Sequence, residues 1–218
     1  LKALLFDLDG TILDTREVIL VSMQYAHSKV LGAENLPSDE ELLSLVGIPL
    51  REQMEHFSPD KYNELIEAYL DYNEEVQDEM LKDFPGTAET LASLREQGYR
   101  MTVVTSKRRE PAIYGLERTG LLEYFELVFG ADDTKEHKPK PSPLLHAAEH
   151  MGVYPEDCVY IGDSPYDMLA ARAANMYAIG ALWGMFSKES LIDAGAQILI
   201  SHISELAKTL LAPELFKA

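Results

Sequence analysis

Six short apolar, β-rich runs limit what this 218-residue chain can fold into more than any other feature. They lie at 3–6, 101–105, 127–130, 159–162, 178–182 and 198–200. Most are separated by segments of helical period, at 87–97, 111–121, 143–151 and 165–174. Continuous apolar strands alternating with helices predict a parallel sheet covered on both faces. "FPG" at 84–86 precedes one helix, Gly98 closes it, and Gly152 ends another, in keeping with the preference for glycine after a helix.

One segment breaks the alternation. From about Arg16 to Lys82 no convincing strand occurs, only helical patterns such as "REVILVSMQYAHSKVLG" and "DKYNELIEAYLDYNEEVQ", separated by "NLPSDEE" and "VGIPL". That is too much helix for a simple strand-to-strand crossover, so a helical cap inserted after the first strand is expected. The expected division is a core of residues 1–14 and 83–218 with a cap of residues 15–82. Tyr62, Tyr69 and Tyr72 recur at helical spacing and are expected to pack inside the cap.

Ligands of an open parallel sheet bind beyond the carboxyl ends of its strands, and there the polar residues of this sequence collect. Asp7 follows "ALLF", Thr105 and Ser106 follow "MTVV", Lys138 lies in "HKPKPSP" and Asp163 follows "VYIG". Clustered carboxylates raise one another's pKa unless a cation joins them. Oxygen ligands of this kind suit Mg2+, with Asp7 and Asp163 as candidate ligands. Lys138 and the Thr105 hydroxyl could bind the remaining oxygens of the same phosphoryl group.

Composition narrows the partners. A net charge of −18 disfavours nucleic acid and anionic membranes. Residues 15–82 hold five Lys or Arg against 15 Asp or Glu, which reads as a solvated helical surface and makes a large polyanionic substrate improbable. The longest apolar tract, "MYAIGALWGMF", is too short to span a bilayer. No basic segment, apolar core and cleavage site precede the first strand, and Cys158 has no second cysteine with which to pair. The expectation is a cytoplasmic protein, monomer or homodimer, with Cys158 a small core residue.

"DLDGT" at 7–11, the strand ending in Thr105, Lys138 in "KPKP" and "GDSPYD" at 162–167 resemble, in order, the four motifs of the haloacid dehalogenase superfamily. The helical insertion resembles a C1-type cap. The resemblance implies a Rossmann-like, three-layer α/β core with an all-helical cap, and a magnesium-dependent hydrolase working through an aspartyl-phosphate. It makes Asp7 the nucleophile and Asp9 the general acid and base. Mg2+ would be held by Asp7, Asp163 and the backbone carbonyl of Asp9, with Ser164 and Asp167 in support. Phosphate contacts would come from Leu8, Gly10, Thr105, Ser106, Lys107 and Lys138. Dehalogenases of the superfamily lack an acid at the position of Asp9, because halide leaves without a proton, so Asp9 favours phosphate chemistry.

"DGTILDT", "VVTSK", "LVGIPL" and "HKPKPSPLL" are most similar to the phosphoglycolate phosphatase branch and the related bacterial pyrophosphatases. A small phosphorylated metabolite is therefore the expected substrate, phosphoglycolate-like in the first instance, with a pyrophosphatase or a sugar-phosphate mutase as alternatives. Arg51, expected in the cap loop after "VGIP", is a candidate for the substrate's non-reacting end. Lys107, Arg108 and Arg109 form either a basic cluster for a second anionic group or an exposed helix start. A phosphorylation receiver shares the Asp, hydroxyl, Lys and metal set but lacks a large cap, and Asp132-Asp133 falls where solvation explains it. "HAAEH" at 146–150 matches a zinc-protease pattern, but both histidines lie opposite the apolar stripe and no third ligand is near.

Overall fold

A computed structural model describes residues 3–211. Its centre is a six-stranded sheet with every neighbouring pair parallel, built from β1 (Ala3–Phe6), β4 (Arg100–Val104), β5 (Leu127–Phe129), β6 (Cys158–Gly162), β7 (Tyr177–Ala181) and β8 (Ile198–Ile200). The order across the sheet is β5-β4-β1-β6-β7-β8, which puts β1 in the interior.

Alternation along β1 divides the core in two. Leu4 and Phe6 face one cluster, completed by Leu91 and Leu94 of α5 (Thr87–Glu96), Leu116 of α6 (Arg109–Arg118) and Leu206 of α10 (Leu206–Leu210). Ala3 and Leu5 face the other, completed by Leu144 of α7 (Ser142–Met151), Met168 of α8 (Pro165–Ala173) and Leu191 of α9 (Lys188–Ala194). A strand buried on both faces must be apolar at successive positions, which is why these runs are continuous. The result is the three-layer α/β core that the sequence predicts.

The chain leaves this core through β2 (Leu13–Asp14) and returns through β3 (Lys82–Asp83), two short antiparallel strands that pair with each other. Asp14 and Lys82 also form an ion pair of 3.3 Å. Between them lie α1 (Arg16–Leu31), α2 (Asp39–Leu43), α3 (Leu50–Phe57) and α4 (Tyr62–Met80). They pack around their own core of Ile19, Met23, Leu42, Met54, Leu65 and Tyr69. Tyr62 packs against that core, and Tyr72 stacks on Tyr25.

Two local readings change. The separator "NLPSDEE" is helical at its end: Ser38 caps α2 by exchanging hydrogen bonds with Glu41, a reciprocal box that satisfies otherwise unpaired amides. Arg51 lies in the first turn of α3 rather than in a loop. Among the described residues no helix is long and apolar enough to cross a membrane. Leu5 is fully buried against the second cluster. Leu5→Ala is therefore expected to lower unfolding stability by about 2–5 kcal/mol, measured by chemical denaturation.

Candidate active site

Three adjacent strands end side by side. Phe6 is in register with Val103 on one side and Ile161 on the other, so Asp7, Thr105 and Asp163 emerge at the same edge. The loop before α7 adds Lys138, and the start of α8 adds Ser164 and Asp167. Asp7, Asp163, Asp167, Lys138, Ser164 and Thr105 are all buried.

Each buried acid has a specific support. Asp163 accepts hydrogen bonds from the Thr11 hydroxyl at 3.1 Å and the Met185 amide at 2.7 Å. Backbone packs directly on this carboxylate: a Cβ at either Gly10 (φ +81) or Gly184 would collide with it. Burial, then the charges of Asp167 and Asp7, hold Asp163 well above the ordinary carboxylate pKa. Asp167 closes the first turn of α8, its Oδ2 accepting from the Ser164 amide at 3.0 Å and hydroxyl at 2.6 Å. Its Oδ1 accepts from Lys138 Nζ at 2.7 Å.

Lys138 joins these acids to Asp7. Its ammonium lies 2.7 Å from Asp167 Oδ1, 2.9 Å from Asp7 Oδ1 and 3.1 Å from the Tyr160 hydroxyl. Burial alone would lower the Lys138 pKa, but the Asp167 and Asp7 carboxylates reverse this and raise it. The Asp7 contact is an ion pair too poorly aligned for a hydrogen bond, and it leaves Oδ1 a buried oxygen without a hydrogen-bonding partner. Burial and Asp167 push Asp7 up to about 7 against the lowering effect of Lys138.

Asp9 lies apart from this cluster. Lys107 Nζ donates to both its oxygens, at 3.0 and 3.2 Å. Cap residue Tyr69 is held above its usual pKa by burial and by the charge of Asp9. The Thr105 hydroxyl oxygen accepts from the Lys107 amide at 3.2 Å. Ser106 turns instead to the cap, donating to the Gly47 carbonyl at 2.6 Å, and the Tyr166 hydroxyl reaches the Ser44 carbonyl at 3.4 Å.

The basic run at 107–109 therefore divides. Lys107 points to Asp9, whereas Arg109 pairs with Asp133 at 2.7 Å and the Arg108 guanidinium lies 3.9 Å from Asp132. Asp132 and Asp133 thus have partners and are not simply solvated. Arg51 is not brought to the cluster: its exposed guanidinium binds Glu55 at 2.8 Å and the Tyr62 hydroxyl at 3.2 Å. His146 and His150 pack their ring edges near Phe129. Cys158 is buried and its thiol is pushed up to about 11, chiefly by burial, so it is a core residue rather than a nucleophile.

Among the described residues one group of acids could hold a metal ion: Asp7, Asp163 and Asp167 offer oxygens within 4.8 Å of one another. The poorly aligned Asp7 Oδ1 and the raised pKa values of Asp7 and Asp163 are what a cation would relieve. Both oxygens of Asp167 already accept from Ser164 and Lys138, so Asp7 and Asp163 fit the role of ligands better. The donors are hard oxygens, as magnesium requires. Sequence reasoning passed over Gly184 and Met185, which clamp Asp163, and Tyr160, which touches Lys138. For the last, the signal in the sequence was a tyrosine within an otherwise apolar strand, "CVYIG".

Residues 4–181 match a family model described as haloacid dehalogenase-like hydrolase. A protein of Caldanaerobacter subterraneus subsp. tengcongensis bearing the provisional name pyrophosphatase PpaX is 39% identical over 208 residues, 95% of this chain and 94% of that protein. Pyrophosphatase PpaX of Bacillus velezensis is 32% identical, with 94% of each chain covered. Among solved structures, a predicted phosphatase from Clostridium acetobutylicum superposes with a TM-score of 0.86 at 30% identity, covering 96% of this chain and 98% of that one.

A raised carboxyl pKa favours the folded state below the unfolded value and loses that contribution as pH rises through the folded value. For Asp7 the window runs from 3.8 to about 7. In EDTA, the stability of Asp7→Asn relative to the unsubstituted protein is therefore expected to increase from about pH 4 to about pH 8 and then level, by an amount on the order of a few kcal/mol. Thermal melting across that range checks this.

Proposed function

Because the chain belongs to the haloacid dehalogenase-like hydrolases, we propose that it is a phosphatase in which Asp7 takes a phosphoryl group from a small metabolite and passes it to water. The observation that carries this reading is the placement of Asp7, a buried carboxylate at the end of β1 whose Oδ1 lies 2.9 Å from the buried Lys138 ammonium and which groups with Asp163 as a candidate metal ligand.

In the first half-reaction an Asp7 oxygen attacks phosphorus, the bond to the leaving oxygen breaks, and Asp9 gives that oxygen its proton. In the second, Asp9 takes a proton from water as the water oxygen attacks the aspartyl-phosphate, and Asp7 is regenerated as a carboxylate. Asp9 suits this role because it sits two residues beyond the nucleophile, outside the buried acid cluster. Lys107 donates to both Asp9 oxygens, and the substrate's own negative charge would draw that ammonium away.

The backbone at Leu8 and Gly10, the hydroxyls of Thr105 and Ser106, and Lys138 would hold the transferred group. Mg2+ would be held by Asp7, Asp163 and the Asp9 carbonyl, and its charge would offset repulsion between carboxylate and phosphate. Ser164 and Asp167 would act through Lys138, fixing the ammonium that the phosphoryl oxygens meet. Arg51 would reach the substrate only by exchanging Glu55 and Tyr62 for it.

Contacts of the cap with Ser106 and Tyr166 favour a small substrate. A phosphoglycolate-like ester fits that limit, and so does pyrophosphate, which the names of the two relatives favour. Phosphate release from phosphoglycolate, pyrophosphate, sugar phosphates and nucleotides, with and without Mg2+, separates these readings. Phosphate appearing on a second sugar phosphate would instead indicate a mutase, and stoichiometric labelling without release a receiver.

Asp7→Asn is expected to reduce kcat/KM by about 10³-fold or more on the preferred substrate. Substantial surviving turnover would refute the mechanism. Asp9→Asn should slow the phosphorylation of Asp7, read as kcat/KM, by about 10²-fold or more for an alkyl phosphate but much less for p-nitrophenyl phosphate, because nitrophenolate leaves without a proton, while hydrolysis of the aspartyl-phosphate slows alike for both.

A further inference from the structure

Among the described residues Tyr160 has the largest fully buried side chain, and it stands beneath the candidate site. It lies on β6, whose alternate residues Val159 and Ile161 turn to the opposite face of the sheet. Its hydroxyl is 2.8 Å from the Val104 carbonyl, 3.1 Å from Lys138 Nζ and 3.2 Å from Asp167 Oδ1. A phenol has one proton, and of its two acceptor contacts the one to Val104 is the shorter by 0.4 Å, while Asp167 Oδ1 already accepts from Lys138 at 2.7 Å, so Val104 is taken as its acceptor. The phenolic oxygen then receives a hydrogen from Lys138.

We infer that Tyr160 is a positioning residue for Lys138, holding the ammonium in register with the strand end that presents Thr105. This rests on the reading of Asp7 as nucleophile and assigns a role to a residue outside the four motifs. An ammonium has three donors. One is taken by Asp167, one by Tyr160, and the third faces Asp7 across the misaligned ion pair. Fixing the first two aims the third at the edge where a phosphoryl oxygen would arrive. Without Tyr160 the ammonium would keep one well-aligned hydrogen bond, to Asp167, beside the misaligned pair with Asp7. Tyr160 supplies a second contact anchored to β4, because Val104 immediately precedes Thr105. The hydroxyl thus ties Lys138 to the strand carrying the candidate phosphate-binding hydroxyl, with no charge of its own to compete with Asp7.

Tyr160→Phe tests this directly, since the ring and its contact with Lys138, 5.6 Å from nitrogen to centroid, are kept while one oxygen is lost. The expected result is a kcat about tenfold lower, with KM changed by less than about threefold. In the Lys138→Ala background, followed in single turnover with enzyme in excess, the same substitution should have almost no further effect, because the group it positions is gone. A kcat within about twofold of the unsubstituted enzyme, or an equal loss in both backgrounds, would overturn the inference.

Para-aminophenylalanine at position 160 is the second variant and serves even if Tyr160→Phe does not fold. Its N–H can still donate to Val104, but its nitrogen is a poor acceptor for Lys138. A comparable fall in kcat supports positioning, and a kcat like that of the unsubstituted enzyme rejects it. The two readings fail separately. Turnover by Asp7→Asn defeats the nucleophile, whereas an inactive Asp7→Asn beside a fully active Tyr160→Phe defeats only the role of Tyr160.

Discussion

The Lys138 ammonium, buried between Asp7 and Asp167, is the interaction on which the rest of the site depends. An unpaired charge at that depth is prohibitively expensive, and so is a cluster of unneutralised carboxylates. Lysine and acids are therefore tolerable only together. This explains why the supporting contacts are so numerous: Ser164 fixes Asp167, Thr11 and Met185 fix Asp163, and Tyr160 fixes the lysine. Even so, compensation is incomplete. Two carboxylates face one ammonium, Asp163 has no ion pair among the described residues, and the Asp7 contact with Lys138 is poorly aligned. Stability is given up at this cluster, as it commonly is where charge serves chemistry.

The same site shows how strand order becomes function. β1 lies between β4 and β6, so residues separated by about a hundred positions or more in sequence become neighbours without any long loop reaching across. The sheet supplies rigidity, while the α8 cap supplies orientation through Ser164 and Asp167. Asp9, two residues beyond Asp7, has left the sheet and meets Lys107 and the cap instead. One strand end thus presents two acids to two environments, one walled in and the other at the boundary with a separate structural unit.

Much of this was legible in the sequence, for definite reasons. Parallel strands buried on both faces must be apolar at each step, so β1, β4, β6 and β7 stand out, and their polar successors mark the site. The cap was visible because α1 and α4 are long and no strand interrupts them. The β2/β3 pair was not, since two residues carry no period. Arg51 was read as a loop residue because α3 begins directly after Pro49, and the pairing of Arg108 and Arg109 with Asp132 and Asp133 spans more than twenty residues with no local signal. Tyr160 was hidden by its strand: where every position is buried, a tyrosine looks like packing until its hydroxyl has neighbours.

The β2/β3 ribbon carries a further consequence. Helices α1 to α4 depart and return through strands that are hydrogen-bonded neighbours, so to the sheet the entire cap is one long hairpin loop. The entropy of closing a loop grows only with the logarithm of its length, and the ribbon sets the end-to-end distance whatever lies beyond it. A lineage could therefore lengthen, trim or replace those helices while the strand ends keep their spacing, and recognition could diversify on a frame whose chemistry stays fixed.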